Sequence, residues 1–160
     1  VGFLASGERD IEMIVVFFDG ACEPVNPGGV ASYGFIVFQN DKEIYRESKI
    51  VAEGPEASNN VAEYNGLLNA LRWLYSKGHK ETKIVCKGDS KLVVEQINGR
   101  WGMNKGLYIP WAIKCKDAVK YFTDISFEWV PRLQNIADDV SKDCLRRRGV
   151  KFRIQPEGGK

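Results

Sequence analysis

Apolar residues recur along this chain in two periods, and the switches between them mark its elements. The run MIVVFFD, residues 13–19, is apolar up to its final aspartate, the pattern of a strand buried on both faces. The segment GACEPVNPGGVASYG (20–34) is dense in glycine and proline and reads as a loop. YGFIVF (33–38) and KEIYRESKIV (42–51) read as second and third strands around the turn Gln39-Asn40-Asp41, which predicts an antiparallel meander. After a loop at 52–60 the period changes. Val61, Tyr64, Leu68, Leu71 and Tyr75, with Leu67 and Leu74 beside them, follow helical spacing between Ser/Asn capping residues and Gly78.

The remaining chain alternates. KIVCKGD (83–89) reads as a fourth strand, and Ser90 opens a helix carrying Leu92, Val93 and Ile97 that stops at Asn98-Gly99. Beyond RWGMNKGLYIP, a third helix carries Ala112, Cys115, Val119 and Phe122. ISFEWVP (125–131) reads as a fifth strand, and a last helix over 136–148 turns Val140, Cys144 and Leu145 inward. Hairpins first, then strand–helix alternation, predict an α/β domain with a five-stranded mixed sheet flanked by helices.

Composition narrows the possibilities. The 160 residues suit one domain with one core, and 44% hydrophobic with 28% charged residues is the balance of a soluble globular protein. No apolar run reaches the length of a bilayer span, and the start VGFLASGERDIE lacks the basic region and long apolar stretch of a secretory signal. Cys22, Cys86, Cys115 and Cys144 form no CxxC pair, so the expectation is reduced thiols in a cytoplasmic protein rather than a zinc site. The one histidine, His79, falls in a turn, which leaves a Ser-His-Asp or Cys-His mechanism without material. Net charge is only +2, but Arg146, Arg147, Arg148, Lys151 and Arg153 crowd the C-terminus. They read either as a phosphate-facing patch or as a solvated helix end favoured by its dipole.

Candidate chemistry lies in the carboxylates. Asp19 and Asp89 close apolar strands, Glu63 opens the first helix, and Asp138 follows the last strand and its turn. If the first and fourth strands are neighbours, these groups converge, and a carboxylate cluster is costly unless cations fill it. Hard oxygen donors suit Mg²⁺ or Mn²⁺, and two such ions can activate water and stabilise the leaving oxygen of a phosphodiester. Around them, NPGG (26–29) reads as a turn or as exposed backbone for a nucleic-acid strand. Ser58, Asn59 and Asn60 read as helix caps or as donors to phosphate, base edges or 2′-hydroxyls. Trp73 and Trp129 read as structural, while Trp101, in the glycine-rich RWGMNKG, reads as stacking on sugar or base or as local packing.

The motifs FFDGACEPVNPGG, SNNVAEYNGL, KGDSKLVVEQI and WVPRLQNIADDVS, in this order over residues 13–148, resemble those of the type 1 ribonucleases H, particularly compact prokaryotic members. The resemblance implies a ribonuclease H-like fold and hydrolysis of the RNA strand of RNA/DNA hybrids, leaving 5′-phosphate and 3′-hydroxyl ends. It implies Asp19, Glu63, Asp89 and Asp138 as catalytic, metal-binding carboxylates for two Mg²⁺ or Mn²⁺ ions. It places Asn26, Asn59 and Asn60 at the minor groove, Ser58 near the DNA phosphate and Trp101 near the DNA strand. Residues 1–12 then stand as an N-terminal extension, 13–148 as the ribonuclease H domain, and 149–160 as a basic tail with a short edge strand at 150–154.

Three departures qualify this. The turn before the last helix is one residue short: the pattern Ala-Asp-x-apolar-Ser favours Asp138 as fourth carboxylate, whereas ungapped counting from Val130 favours Asp139. The histidine that many members carry in that loop is missing from PRLQN, which leaves Arg132 or Lys142 as candidates for aiding product release. No long basic protrusion lies between Asn98 and Lys114, which shifts substrate affinity toward the C-terminus. The expected partner is a hybrid, with double-stranded RNA as a further duplex, and the expected state is a monomer. The competing readings are a non-catalytic hybrid-binding module and another nuclease of the superfamily, a resolvase or exonuclease.

Overall fold

Alternation, rather than continuous burial, governs the first strand of this computed structural model, which describes residues 12–153. In β1 (Met13–Glu23), Ile14, Val16 and Phe18 are buried while Met13, Val15 and Phe17 are only partly covered. Phe17 lies on that second face. It is shielded by the edge of Phe38 and by the Lys87 ammonium, 5.7 Å from its ring centroid.

Strands β2 (Val30–Gln39) and β3 (Lys42–Glu53) continue antiparallel from β1, while β4 (Lys83–Gly88) and β5 (Ile125–Trp129) add parallel strands on its other side. The order is β3-β2-β1-β4-β5, the mixed sheet expected. Helices α1 (Asn59–Ser76), α2 (Lys91–Ile97) and α3 (Ile109–Val119) follow or join the strands, and α4 (Ala137–Arg148) closes the chain. Phe122, expected on the third helix, lies beyond its end but is still buried.

The expected loop over 20–34 is mostly strand. Gly20–Glu23 extend β1, Val30–Gly34 begin β2, and the two segments pair with Gly20 opposite Tyr33 and Cys22 opposite Ala31. Only residues 24–29 turn. Glycine here marks close packing instead of a bend. A Cβ on Gly20 would collide with the α1 backbone at Ala62 and Glu63, and one on Gly34 with the α4 backbone at Val140 and Ser141.

Those contacts set the layers. Helix α1 lays Val61, Tyr64, Leu67, Leu68, Leu71 and Leu74 on one face of the sheet, over Ile14, Val16, Phe18, Tyr33 and Phe35. Each large side chain so buried contributes roughly 1.5–3 kcal/mol. Ser58 caps the helix by accepting the Val61 N–H at 3.1 Å. Tyr75, which follows the same helical spacing, is 49% exposed and meets the edge of Tyr121. Trp73 stacks on Tyr45, centroids 4.6 Å apart. Helix α4 covers the opposite face with Cys144 and Leu145 against Ala21, and Ser32 Oγ donates to the Ser141 carbonyl at 2.6 Å.

A buried polar chain fastens the α2–α3 connection to the core. Tyr64 Oη donates to Gln96 Oε1 at 2.7 Å, while Gln96 Nε2 donates to the Gly102 carbonyl (2.9 Å) and Tyr108 Oη (3.0 Å). Residues 150–153 form no strand, so the edge strand expected at 150–154 is absent over them. Residue 154, the rest of the tail and residues 1–11 of the extension lie outside the described residues. Among the described residues no helix is long and apolar enough to cross a membrane.

The Gly34 contact is rigid backbone against rigid backbone. Gly34→Ala is therefore expected to lower unfolding free energy by about 1–3 kcal/mol. Gly102→Ala, which points into open space, should cost less than about 0.5 kcal/mol. Urea midpoints of the two variants compare these values directly.

Candidate active site

Strand register brings the first two carboxylates together. The last β1–β4 pair is Phe17 with Lys87, and two residues further on each chain come Asp19 and Asp89. Glu63, one turn into α1, joins them because Gly20 lets the helix backbone touch the strand. Carboxylate oxygens of Asp19, Glu63 and Asp89 all lie within 4.8 Å of one another.

This cluster is buried: Asp19 is 3% and Glu63 2% exposed. Burial pushes the Asp19 carboxyl up to about 7, the contact with Glu63 offsets part of that, and the charges of Asp89 and Asp138 add to it. Burial, then the charge of Asp19, drives Glu63 well above the ordinary carboxylate range. Asp89 is also raised by burial and by Asp138, against a hydrogen bond from Asn135. Asp19 Oδ1 accepts the Gly20 N–H at 2.8 Å, whereas Glu63 Oε1 is fully buried with no partner. An orphaned carboxylate oxygen beside two others is a donor set for a hard divalent cation, and these residues fit Mg²⁺ or Mn²⁺.

Asn135 governs the approach of the fourth group. Its Nδ2 donates to the Phe18 carbonyl at 3.0 Å and its Oδ1 accepts the Ala137 N–H at 3.1 Å. That double tie sets the start of α4 against the middle of β1. Asp138 then lines a cleft of about 220 Å³ together with Asp19, Glu63 and Asp89. Lys142 Nζ lies 3.5 Å and Arg132 Nη2 3.8 Å from Asp138 Oδ1. Asp139 turns outward, its side chain 79% exposed and paired with Arg146 at 2.6 Å.

Asn26 and Asn59 line the same cleft, and Asn26 Oδ1 accepts the Asn59 N–H at 2.9 Å, which leaves the Asn26 amide to donate elsewhere. Ser58 is occupied as a cap, and Asn60 stands half-buried in the first turn of α1. Trp101 is 48% exposed between α2 and α3 and is not part of the cleft wall. Trp129, expected to be structural, is 42% exposed. Its Nε1–H donates to the Asp89 carbonyl at 3.0 Å, and the Lys91 ammonium sits 4.9 Å from its centroid.

Glu23 escaped the sequence reading, and Arg153 entered it only as one of the basic residues crowding the C-terminus. Glu23, at the end of β1, is 6% exposed and is held by Arg153 of the C-terminal tail. The acidic residue after Cys22 and the basic tail were both visible, but nothing in their spacing pairs them. The rest of the basic cluster is partly engaged: Arg146 with Asp139 and Asp143, and Arg148 with Glu53 at 2.6 Å. The four cysteines are free and buried, and burial raises the Cys86 and Cys115 thiols out of the reactive range. His79 Nδ1 lies 3.2 Å from Thr82 Oγ1, in the loop after α1.

Comparison with known proteins places these features. Residues 17–144 match the family model described as reverse transcriptase-like. Bifunctional protein Rv2228c of Mycobacterium tuberculosis is 35% identical over 137 residues, covering 82% of this chain but 35% of its own length. Ribonuclease HI of Halobacterium salinarum is 33% identical over 81% of this chain and 62% of its own. The chain thus spans about a third and under two thirds of these relatives. The crystal structure of the Halobacterium RNase H1 superposes with a TM-score of 0.74 at 28% identity, covering 84% of this chain and 98% of that one. LC11-RNase H1 in complex with an RNA/DNA hybrid gives 0.70 at 26% identity, covering 79% and 91%.

The raised carboxyl groups link pH to stability. A carboxyl whose folded value lies above its unfolded one holds a proton that the unfolded chain releases. Its contribution is complete below about pH 4 and is lost as pH rises through about 7, the value for Asp19. Metal-free protein is expected to melt at falling temperature from about pH 5 to pH 8, with added Mg²⁺ or Mn²⁺ raising the melting point more at the alkaline end. A scan series with chelator and with metal measures both, and a flat metal-free profile would sink this account.

Proposed function

The chain belongs to the ribonuclease H-like, reverse transcriptase-like family, and from that premise we propose that it hydrolyses the RNA strand of RNA/DNA hybrids with two Mg²⁺ or Mn²⁺ ions. The products are a 5′-phosphate and a 3′-hydroxyl. The observation that carries this reading is the buried trio Asp19, Glu63 and Asp89, with the unpartnered Glu63 oxygen at its centre. Such a group is expensive for a protein that only binds nucleic acid, since its carboxylates repel phosphate until cations enter. A relative of the same fold has been seen with an RNA/DNA hybrid, which supports the substrate.

Divalent ions in this cleft would supply the Lewis acidity that activates water and stabilises the leaving oxygen. The chain's own groups do the rest. Asp19, inside β1, and Asp89, just past the end of β4, would hold the ions from two adjacent strands, with Asp138 reaching the second from α4. Glu63 would bind from the helix side and meet the sugar 2′-hydroxyl, the group that distinguishes RNA from DNA. Asn26 offers its free amide to acceptors in the minor groove, and Asn59 and Asn60 extend that contact along the first turn of α1. Ser58 sits beside them for a DNA phosphate, and Trp101 offers a stacking face further along the duplex. Without a loop histidine, Arg132, beside Asp138, is the charged group that can meet the freed phosphate.

End-labelled RNA paired with DNA should be cut in the presence of Mg²⁺ or Mn²⁺, with single-stranded RNA and duplex DNA left intact. Duplex RNA is the further substrate to be run alongside. Hybrid binding without cutting under either metal would replace the enzyme with a binding module, and cutting of duplex DNA would favour a resolvase or exonuclease. Asp89→Asn should reduce hybrid cleavage by at least about 100-fold while leaving the circular dichroism spectrum unchanged. Asp138→Asn should lose about 10- to 100-fold. Asp139→Asn removes an exposed ion pair and should stay within about twofold. A larger loss at 139 than at 138 would reverse the assignment of the fourth ligand.

A further inference from the structure

Arg153 is joined to the cleft more firmly than a tail residue needs to be. Its Nε donates to Glu23 Oε1 at 3.1 Å and its Nη2 to Glu23 Oε2 at 3.0 Å. Nη2 also reaches the Cys22 carbonyl at 3.0 Å, and the Arg153 backbone N–H donates to Glu23 Oε1 at 3.0 Å. The acceptor is a buried carboxylate, its side chain 8% exposed, while the guanidinium remains 45% exposed. Burial alone would raise the Glu23 carboxyl, but the bonds and charge of Arg153, with the charge of Lys142, outweigh it and hold the group below its ordinary value. Glu23 is therefore an ionised, fixed anchor that aims a cation 130 residues away in sequence.

Both Arg153 and Lys142 line the cleft that holds the carboxylates. Lys142 is anchored likewise, its ammonium 3.5 Å from Asp138 and its side chain only 18% exposed. Among the described residues, Nη1 of Arg153 has no partner, so the guanidinium keeps two donors after Glu23 and Cys22 are satisfied. Two fixed cations lining the same cleft as the carboxylates give a bound anion two places of positive charge inside an otherwise acidic site.

We propose that Arg153 and Lys142 form a seat for a backbone phosphate of the strand being cut, adjacent to the scissile one, with Glu23 as the positioning residue that aims Arg153. This rests on the hybrid nuclease reading above. The C-terminal tail thereby becomes part of the substrate site, which supplies the contact that a long basic protrusion would otherwise make. Arginine suits the role because its planar fork can bind a carboxylate on one edge and a phosphate on another, which an ammonium cannot do.

The test uses the full chain and a short RNA/DNA hybrid. Binding is measured against salt with Ca²⁺ in place of the catalytic metal, and cleavage with Mg²⁺. Wild type establishes whether the hybrid is bound and cut; absence of both overturns the nuclease reading and the seat together. Arg153→Ala is expected to raise KM about fivefold or more with kcat within about twofold. It should also flatten the slope of log affinity on log salt by about one phosphate equivalent. Arg153→Lys should restore the slope but only part of the KM, since charge returns without the fork. Glu23→Gln should raise KM with the slope retained. Urea midpoints identify any variant that has lost the fold. A wild-type protein that cuts the hybrid, with Arg153→Ala unchanged in both slope and KM, overturns the seat alone and leaves the tail contact purely structural.

Discussion

Helix α1 can carry Glu63 to Asp19 only because no side chain projects from position 20. The helix backbone lies directly on the strand there, and its N-terminal turn is fixed from two sides, by the Ser58 cap and by Asn26 accepting from Asn59. Any residue with a Cβ would lift the helix and open the carboxylate trio. The same pressure that assembles the trio removes it from water, and removing charge from water costs several kcal/mol per ion. The broad apolar face that α1 lays on the sheet offsets that cost, so deeply buried apolar side chains and the buried Glu63 carboxyl share one helix.

Much of this was legible along the chain because it depends on local rules. Asp19 and Asp89 stood out as polar ends of apolar strands, and a parallel pairing of those strands is what brings them together. The helix carrying Glu63 announced itself by period and cap. The segment 20–34 departs from the loop its composition predicts because Gly20 and Gly34 serve as contact points in extended strands, a role that composition does not separate from turn formation. Which of Asp138 and Asp139 faces the cleft depends on the helix register that Asn135 imposes, since both residues satisfy some version of the sequence pattern. The Glu23–Arg153 tie could not be read at all, because it joins the end of the first strand to the tail and obeys no spacing. Trp129 was placed correctly on a strand, but its exposure and its bond to the Asp89 carbonyl depend on β5 being an edge.

Charge is distributed by anchoring rather than by number. A net charge of +2 gives little long-range attraction, and the dense C-terminal arginines partly neutralise themselves against Asp139, Asp143 and Glu53. The cations that line the cleft are each held by a carboxylate, Lys142 and Arg132 by Asp138 and Arg153 by Glu23. Such cations act at short range and in a fixed direction, which suits fixing the position of an anion more than drawing it in from a distance.

The protons held in the trio have a thermodynamic consequence for loading. Burial raises the Asp19 carboxyl to about 7 and drives Glu63 well above the ordinary carboxylate range, so the metal-free trio retains protons that free carboxylates would have lost. A cation that enters must evict those protons, so occupancy is an acid–base exchange as much as a coordination event. The calorimetric heat of ion binding will then depend on the ionisation enthalpy of the buffer that takes up those protons. Apparent affinity will climb by up to about tenfold per pH unit for each proton displaced, until the carboxylates are fully ionised.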